Sequence, residues 1–214
     1  MGVAAKICGL STEETITEAI AGGAAYLGFV FYPRSPRAVS PQQAGQLCAI
    51  IPPGIARVGL FVDADDRTIE AALEAAPLDI LQFHGAETPE RVEAARLRFG
   101  RKVMKAVAIA GFEDLLGAAR YEDIADLLLF DAKPLRRGDA LPGGNGLAFD
   151  WRLIANRSWR CPWMLSGGLT AELLPEAVRV SGAAAVDVSS GVESRPGVKD
   201  PAKIRAFLAA AHAL

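Results

Sequence analysis

The sequence predicts an α/β fold in which eight parallel strands and eight helices alternate to form one closed barrel. Short apolar runs rich in Val, Ile, Leu and Phe recur, each is followed by an amphipathic stretch of helical length, and the pair repeats eight times within 214 residues. Alternating strand and helix signals are typical of βα units around a parallel sheet, and eight units form a (β/α)8, or TIM, barrel. An open flavodoxin-like sheet would need fewer units. Because the chain is short for two domains of ordinary size, we expect one barrel domain over residues 1–214.

The predicted strands are short and apolar, and polar or glycine-containing segments bound them. Runs of about four to eight apolar residues are the usual length of buried strands. In chain order the predicted strands cover residues 4–8, 26–31, 56–62, 78–83, 102–107, 127–130, 162–165 and 185–188.

The predicted helices follow these strands, and several begin at a recognisable cap. Ser11 stands three residues before Glu14, which predicts a capping box at the first helix. Ser40, Thr88 and Asp200 each precede a proline, and such a pair caps the first turn while fitting its backbone. The helices are predicted over residues 12–21, 41–50, 66–76, 89–99, 112–119, 150–155, 171–180 and 201–213.

Composition and charge exclude several classes of protein. Hydrophobic residues make up 51% of the chain, charged residues 22%, and the formal net charge is −2. Disorder is not indicated, and there is no overall basic field to attract nucleic acid or an anionic membrane. No apolar run approaches the ~20 residues that span a bilayer, and the amino terminus does not resemble a signal peptide. Cys8, Cys48 and Cys161 fit neither a disulfide framework nor a zinc ribbon, so we expect reduced thiols in a cytoplasmic protein.

One long irregular segment, residues 132–147, is too polar and glycine-rich for a packed element. It is also longer than an ordinary connection between a strand and a helix. We interpret it as a mobile active-site loop, and a tolerated surface insertion is the alternative.

The active site of a TIM barrel lies at the carboxyl ends of the strands and in the loops that follow them. Glycine and serine segments follow the seventh and eighth strands, where such barrels commonly bind a phosphate group. Glycines let backbone N–H groups approach phosphate oxygens, and serine hydroxyls add donors. We therefore predict a phosphate site at Gly167, Gly168, Ser189, Ser190 and Gly191, although glycine-rich turns also occur for backbone reasons alone.

Cys8 and Asp131 form the pair that suggests catalysis. They end the first and sixth predicted strands, so they should reach the barrel mouth from well-separated sides. A thiolate on one side and a carboxyl group on the other could remove and deliver protons at different atoms of one sugar. The alternatives are that Cys8 is a buried small hydrophobe and that Asp131 caps a loop or pairs with Lys133.

Three further side chains are candidates for substrate binding. Arg37 follows the second strand in a loop stiffened by prolines, where its guanidinium could bind a carboxylate bidentately; a solvated surface arginine is the alternative. Gln82 and His84 alternate inward on the fourth strand and could line the cavity, although a structural histidine is an equal alternative.

Several short motifs lie at the predicted strand ends in a fixed order, which is more specific than any one of them. They are KICGL at 6–10, GFVF at 28–31 continuing to SPR at 35–37, QFHG at 82–85, FDAK at 130–133, GGNG at 143–146 with FDW at 149–151, LSGGL at 165–169, and DVSSGVE at 187–193 with PGVKD at 196–200. Over essentially its whole length the sequence resembles the phosphoribosylanthranilate isomerases of tryptophan biosynthesis.

This resemblance implies an activity and assigns roles to residues. It implies an Amadori rearrangement of N-(5'-phosphoribosyl)anthranilate to 1-(o-carboxyphenylamino)-1-deoxyribulose 5-phosphate, the third step from chorismate, without metal or organic cofactor. Cys8 would be the general base at sugar C2 and Asp131 the general acid at the ring oxygen. Arg37 would bind the anthranilate carboxylate, and groups near Gly168, Ser189 and Ser190 the phosphate. Expected partners are this phosphosugar and, in a homodimer, a second copy of the chain; a monomer is equally compatible with the sequence.

Other phosphate-binding barrels are the rival interpretations. A ribulose-phosphate epimerase would need a metal held by histidines, and the chain has only His84 and His212. A histidine-pathway sugar isomerase would carry an aspartate at position 8. A noncatalytic barrel would keep the phosphate loops but would not need Cys8 opposite Asp131.

Overall fold

The computed structural model describes residues 2–133, 148–155 and 157–214. Within them, eight parallel strands pair in chain order and close into a barrel, as the sequence predicts. Most of the predicted loop at 132–147 lies outside the described residues. The barrel strands are β1 Ala4–Cys8, β2 Tyr26–Val30, β3 Ala56–Phe61, β4 Ile80–Phe83, β5 Lys102–Ile109, β6 Leu127–Ala132, β7 Trp163–Leu165 and β8 Ala185–Val188.

The strands β5 and β6 run two residues further than predicted. Their parallel pairing continues through Ala108 with Asp131 and Ile109 with Ala132. Asp131 therefore lies within β6 and not in the loop after it. A backbone held by a neighbouring strand on the barrel wall positions this carboxyl group more firmly than a loop would.

Helices connect the strands along the outside of the barrel. Those in the described residues are α1 Glu13–Ala21, α2 Pro41–Cys48, α3 Asp66–Ala75, α4 Pro89–Phe99, α5 Phe112–Ala119, α6 Arg152–Ala155, α7 Leu174–Ser181 and α8 Pro201–His212. After β8 come a 3₁₀ helix at Ser190–Val192 and a small hairpin of β9 Glu193–Arg195 and β10 Val198–Lys199.

Three of the four predicted helix caps are correct. Ser40, Thr88 and Asp200 each accept a hydrogen bond from a backbone N–H in the first turn of the helix that follows. The capping box predicted at Ser11 is wrong, because Thr12 caps α1 and its hydroxyl oxygen accepts from the N–H of Thr15. Ser11 and Thr12 both carry a hydroxyl group that can cap a helix, and the backbone places Thr12 at the cap position.

The core has two parts, on either side of the barrel wall. Between strands and helices lie the outward-facing residues of the strands, such as Ile7, Phe29, Phe83 and Phe130, all fully buried. Inside the barrel, towards its amino end, lies a second apolar cluster that includes Val58, Ile80, Met104, Leu129 and Met164. Each fully buried side chain of this kind contributes about 1.5–3 kcal/mol relative to exposure. The wall is thus stabilised from both sides below the level of the candidate site.

None of the helices in the described residues is long and apolar enough to cross a membrane.

Candidate active site

Cys8 and Asp131 both face the interior of the barrel at its carboxyl end. Ile7 and Phe130 pack outward against the helices, so the residues that follow them point inward, because side chains alternate along a strand. Cys8 is 4% exposed and Asp131 5% exposed. In the closed strand order, β7 and β8 separate β6 from β1. The two groups therefore reach the same interior space from different parts of the wall.

A buried ion pair lies beside Cys8. The Lys6 ammonium donates to the Asp187 carboxylate at 2.8 Å inside the barrel, and the Ser166 hydroxyl donates to the other Asp187 oxygen at 3.1 Å. A Cβ added to Gly28 would lie 3.2 Å from both Cys8 Sγ and Lys6 Nζ, so the thiol and the ammonium flank the same glycine. The lysine is therefore part of the electrostatic surroundings of the thiol.

The protonation of Cys8 depends on opposing influences. Burial raises the pKa of the Cys8 thiol, whereas the positive charges of Lys6 and Lys199 favour the thiolate. Burial also opposes the charge of Lys6, but the adjacent Asp187 carboxylate raises the Lys6 pKa, so the ammonium stays charged. Burial therefore keeps the Cys8 pKa above its ordinary value, and the two cations make that rise smaller.

Asp131 lies next to His84, the residue that follows β4. Its Oδ2 is 3.3 Å from Nε2 of His84, and its Oδ1 accepts from the N–H of Ala132 at 2.8 Å. The His84–Asp131 approach does not meet hydrogen-bond geometry, and Nε2 of His84 has no hydrogen-bond partner among the described residues. The predicted alternative that Asp131 pairs with Lys133 is wrong, because Lys133 binds Asp114 at 2.8 Å.

Gln82 brings an unused acceptor to the same interior. Its side chain is fully buried, and its Nε2 lies 3.4 Å from Nδ1 of His84. Its Oε1 has no hydrogen-bond partner within residues 2–133, 148–155 and 157–214. A buried carbonyl oxygen without a donor is costly, and a substrate hydroxyl would satisfy it.

Arg37 is buried, so the alternative of a solvated surface arginine is wrong. Only 6% of Arg37 is exposed, and its Nε and Nη2 donate to the two carboxylate oxygens of Glu193 at 2.7 and 2.9 Å. Its aliphatic stem passes Gly9, where an added Cβ would lie 2.8 Å from Cδ of Arg37. Gly9 follows Cys8 directly, so this arginine is held beside the end of β1.

The two loops predicted to bind phosphate lie against each other. A side chain at Gly191 would collide with the carbonyl oxygen of Leu169, so the loops after β7 and β8 are in close contact. Gly167 and Gly168 adopt positive φ angles of 90° and 64°, conformations that favour glycine. Within the described chain, the backbone N–H groups of Gly168 and Ser190 donate no hydrogen bond. These two N–H groups can therefore donate hydrogen bonds to an anion.

The Ser189 hydroxyl is engaged within the protein. Its hydroxyl donates to the carbonyl oxygen of Cys8 at 3.2 Å and accepts from Lys199 Nζ at 3.1 Å. Its hydroxyl proton is thus committed to the end of β1 in this structure.

Sequence reasoning missed four charged residues of the site, which are Lys6, Asp187, Glu193 and Lys199. Lys6 and Asp187 carried a usable signal, since a charge in the middle of an apolar strand needs a buried partner. Glu193 and Lys199 lay inside motifs quoted for the resemblance, but their pairing depends on the β9–β10 hairpin, which the sequence did not predict.

Together these groups define a class of protein. The carboxyl end of the barrel brings together a thiol beside a lysine, a carboxyl group beside an imidazole, a buried arginine near the end of β1, and paired glycine loops. Such a set can move protons within a small anionic substrate held at its two ends. The fold and these groups are those expected of a TIM-barrel isomerase that works by acid–base chemistry.

Comparisons with known proteins identify the family. A family model described as N-(5'phosphoribosyl)anthranilate (PRA) isomerase matches residues 5–210. N-(5'-phosphoribosyl)anthranilate isomerase of Rhodospirillum centenum is 58% identical over 214 residues, covering 100% of both chains. The chain belongs to the phosphoribosylanthranilate isomerase family, which confirms the resemblance found in its motifs.

Solved structures of the same family share the fold. Mutually generated monomers of the dimeric enzyme from Thermotoga maritima match with a TM-score of 0.84 and 35% identity, over 99% of this chain and 100% of that one. A family structure in complex with reduced 1-(o-carboxyphenylamino)-1-deoxyribulose 5-phosphate matches with a TM-score of 0.85 and 34% identity, over 99% and 100%. The predicted barrel class is therefore confirmed twice, by the strand order and by these relatives.

Proposed function

We propose that this barrel, as one catalytic domain over residues 1–214, isomerises N-(5'-phosphoribosyl)anthranilate to 1-(o-carboxyphenylamino)-1-deoxyribulose 5-phosphate, the third step from chorismate in tryptophan biosynthesis. One observation carries the proposal: Cys8 and Asp131 enter the same interior space at the carboxyl end of the barrel, beside the paired glycine loops. Acid and base are thus on separate strands, as a reaction at two different sugar atoms requires.

The proposed reaction is a proton relocation within one molecule. Asp131, as general acid, protonates the ring oxygen, so the C1–O bond breaks and the nitrogen lone pair forms a C1–N double bond. The Cys8 thiolate then takes the proton from C2, giving an enol amine that tautomerises to the ketose. The substrate is neither oxidised nor reduced. Exchange with solvent returns a proton to Asp131 and removes one from Cys8.

The remaining side chains are proposed to hold the substrate. Arg37 binds the anthranilate carboxylate. Gln82 in β4 and His84 directly after it bind the sugar hydroxyls. The unused Oε1 of Gln82 and the free Nε2 of His84, within the described chain, support this assignment. His84 also lies where it can orient the Asp131 carboxyl group.

The phosphate is proposed to sit between the loops after β7 and β8. Backbone N–H groups around Gly167, Gly168, Ser190 and Gly191 supply its donors, and Ser189 contributes its backbone and not its committed hydroxyl proton. Such a cradle binds an anion without a basic surface.

The proposal includes the setting of the reaction. It needs no metal or organic cofactor and no nucleic acid, and it places the chain in the cytoplasm, where Cys8, Cys48 and Cys161 would stay reduced. The chain acts as a monomer or as a homodimer.

A fluorescence assay tests the proposal directly. The substrate is made in situ and its loss followed with wild type, Asp131→Asn and Asp126→Asn, each with and without a metal chelator. Asp126 is the matched control, because its carboxylate lies at the opposite end of the barrel and accepts from the N–H of Val103.

We expect chelator-resistant turnover by wild type and Asp126→Asn, and a kcat lowered on the order of 10²–10⁴-fold in Asp131→Asn. A folded wild-type protein without turnover would point to another phosphosugar barrel or a noncatalytic binder. Chelator-sensitive turnover would contradict the cofactor-free reaction, and full activity of Asp131→Asn would remove the assigned acid.

A further inference from the structure

The hairpin after β8 carries two charged residues that the proposed reaction does not use. In β9 and β10, Glu193 pairs with Lys199 across the hairpin, and both are 7% exposed, while Ser194, Arg195 and Val198 are exposed. Charged residues on a small surface hairpin are ordinarily solvated. The burial of these two requires a specific reason.

The Glu193 carboxylate is fully engaged by donors from two loops. Oε1 accepts from Arg37 Nε at 2.7 Å and from Lys199 Nζ at 2.7 Å. Oε2 accepts from Arg37 Nη2 at 2.9 Å and from the N–H of Gly197 at 3.3 Å. Burial works against this carboxylate, but Arg37 and Lys199 together lower the Glu193 pKa, so it remains charged. It holds one side of the Arg37 guanidinium in a fixed plane.

Lys199 connects that carboxylate to the phosphate loop. Its ammonium donates to Glu193 Oε1 at 2.7 Å, to the Ser189 carbonyl oxygen at 2.9 Å and to the Ser189 hydroxyl oxygen at 3.1 Å. Three acceptors match the three hydrogens of an ammonium group. Lys199 is therefore occupied by the protein and does not itself act as a phosphate ligand. The Ser189 hydroxyl continues the chain of contacts to the carbonyl oxygen of Cys8 at 3.2 Å.

Packing also fixes the position of the loop that carries Arg37 against the hairpin. Gly197, at the turn of the hairpin with φ of 82°, lies so close to Pro36 that an added Cβ would be 2.5 Å from the Pro36 carbonyl oxygen. The N–H of Arg37 donates to Ser35 Oγ at 3.2 Å, and its stem is held against Gly9. The hairpin thus sits directly on the loop that carries Arg37.

We propose that Glu193 and Lys199 are positioning residues that set the distance between the carboxylate-binding arginine and the phosphate loops, and so select substrates by the spacing of their two anionic ends. This inference rests on the proposed function, in which Arg37 binds the anthranilate carboxylate. Neither residue touches the reacting atoms; each acts through another group, Glu193 through Arg37 and Lys199 through Ser189.

A purely structural ion cluster is the competing explanation, and physical chemistry separates the two. Buried ion pairs contribute little net stability compared with apolar replacements, whereas they hold groups in one geometry. A structural cluster would affect all ligands equally when broken. A positioning cluster would selectively weaken the recognition of a carboxylate.

The test compares two ligands on one set of variants by calorimetry. The first is reduced 1-(o-carboxyphenylamino)-1-deoxyribulose 5-phosphate, and the second is its analogue without the carboxylate. The ratio of their dissociation constants measures carboxylate recognition. The proteins are wild type, Glu193→Gln, Lys199→Met and Glu122→Gln, and kcat and KM of each are measured in parallel. Glu122 is the matched control, because it is a buried carboxylate paired with Arg157 and Arg160 away from the site.

We expect Glu193→Gln to reduce the carboxylate preference on the order of tenfold, with KM raised more than kcat is lowered, while Glu122→Gln keeps the wild-type preference. Lys199→Met should also reduce the carboxylate preference, by a smaller factor, because Glu193 then loses its link to Ser189 and holds Arg37 less firmly. An unchanged preference in Glu193→Gln, or an equal loss in Glu122→Gln, overturns the inference while wild-type turnover leaves the proposed function intact. A wild type that turns substrate over but shows no carboxylate preference also overturns the inference. A wild type without turnover overturns the proposed function, on which the inference rests.

If Glu193→Gln does not fold, Glu193→Asp gives the same test. The shorter side chain keeps the charge and withdraws the carboxylate from Arg37. An intermediate loss of carboxylate preference supports the positioning role, and the wild-type preference contradicts it.

Discussion

The two ends of this barrel use the same residue type for different purposes. At the amino end, the Asp79 carboxylate accepts a hydrogen bond from the N–H of Arg57, near the start of β3, at 2.8 Å. The Asp126 carboxylate accepts one from the N–H of Val103, near the start of β5, at 2.9 Å. At the carboxyl end, Asp131 faces the interior, next to His84 and without an arginine or lysine among the contacts of the described residues. The two carboxylates at the amino end hold neighbouring strands together, whereas the Asp131 carboxyl group is the one that the proposed reaction uses.

The interior of the barrel shows the same division along its axis. Its lower part is apolar, with Val58, Met104, Leu129 and Met164, whereas the upper part holds Cys8, Gln82, Asp131 and the Lys6–Asp187 ion pair. The lower part is thus filled by apolar packing, and the groups assigned to the proposed reaction lie above it. Changes in the lower part should alter only the free energy of unfolding, whereas changes in the upper part should alter turnover, together with stability where they break a buried ion pair.

The largest expected effect is that of Lys6→Met. Removing one partner leaves the buried Asp187 charge unpaired, which costs about 3–5 kcal/mol in the free energy of unfolding. It also removes a cation that favours the Cys8 thiolate, so the Cys8 pKa rises further above its ordinary value. The limb of kcat/KM that increases with pH should therefore move to higher pH. Urea unfolding and a pH–rate profile measure the two effects.

The double variant Lys6→Met with Asp187→Leu sharpens this prediction. An apolar replacement of both charges should recover most of the unfolding free energy. Turnover should stay low, because the thiolate still lacks its cation. Recovery of both properties would show that the ion pair serves stability alone.

A smaller effect on stability, without one on catalysis, is expected from Met164→Ala. Met164 is fully buried in the apolar lower cluster, so the substitution should cost about 2–5 kcal/mol of unfolding free energy through lost burial and a cavity. The kcat of the folded fraction should remain within about twofold of wild type, since the residue lies below the candidate site. A large loss of kcat with unchanged stability would contradict the division of the barrel.

The smallest effect is expected from Asp79→Ala at the amino end. It removes the acceptor for the N–H of Arg57, and because the Asp79 side chain is 48% exposed, water replaces much of the interaction. We expect a loss of about 1 kcal/mol in urea unfolding and unchanged kcat. A catalytic defect here would mean that the two ends are not independent.

The sequence predicts the barrel wall more completely than the site. The strands β1 and β8 have the predicted bounds, because their apolar runs end at glycine or serine, whereas β5 and β6 extend further through cross-strand pairing, which single-strand patterns do not contain. Cys8, Arg37 and Asp131 could be chosen because each stands at a strand end or in a short loop after one.

The charged partners could not be chosen in the same way. Glu193 reaches Arg37 across 156 positions of the chain, and Lys6 reaches Asp187 across 181. These pairs depend on barrel closure and on the hairpin after β8. The environment that makes Cys8 a candidate base is therefore a property of the fold and not of any local motif.

The central claim is that Cys8 performs proton transfer and does not merely line the site. The most direct measurement compares Cys8→Ser with wild type in turnover of phosphoribosylanthranilate and in calorimetric binding of reduced 1-(o-carboxyphenylamino)-1-deoxyribulose 5-phosphate. We predict turnover reduced by about 10³-fold or more and a dissociation constant within about threefold of wild type, because the hydroxyl keeps the shape but is a far weaker base. Wild-type turnover in Cys8→Ser, or parallel loss of binding and turnover, would contradict the account.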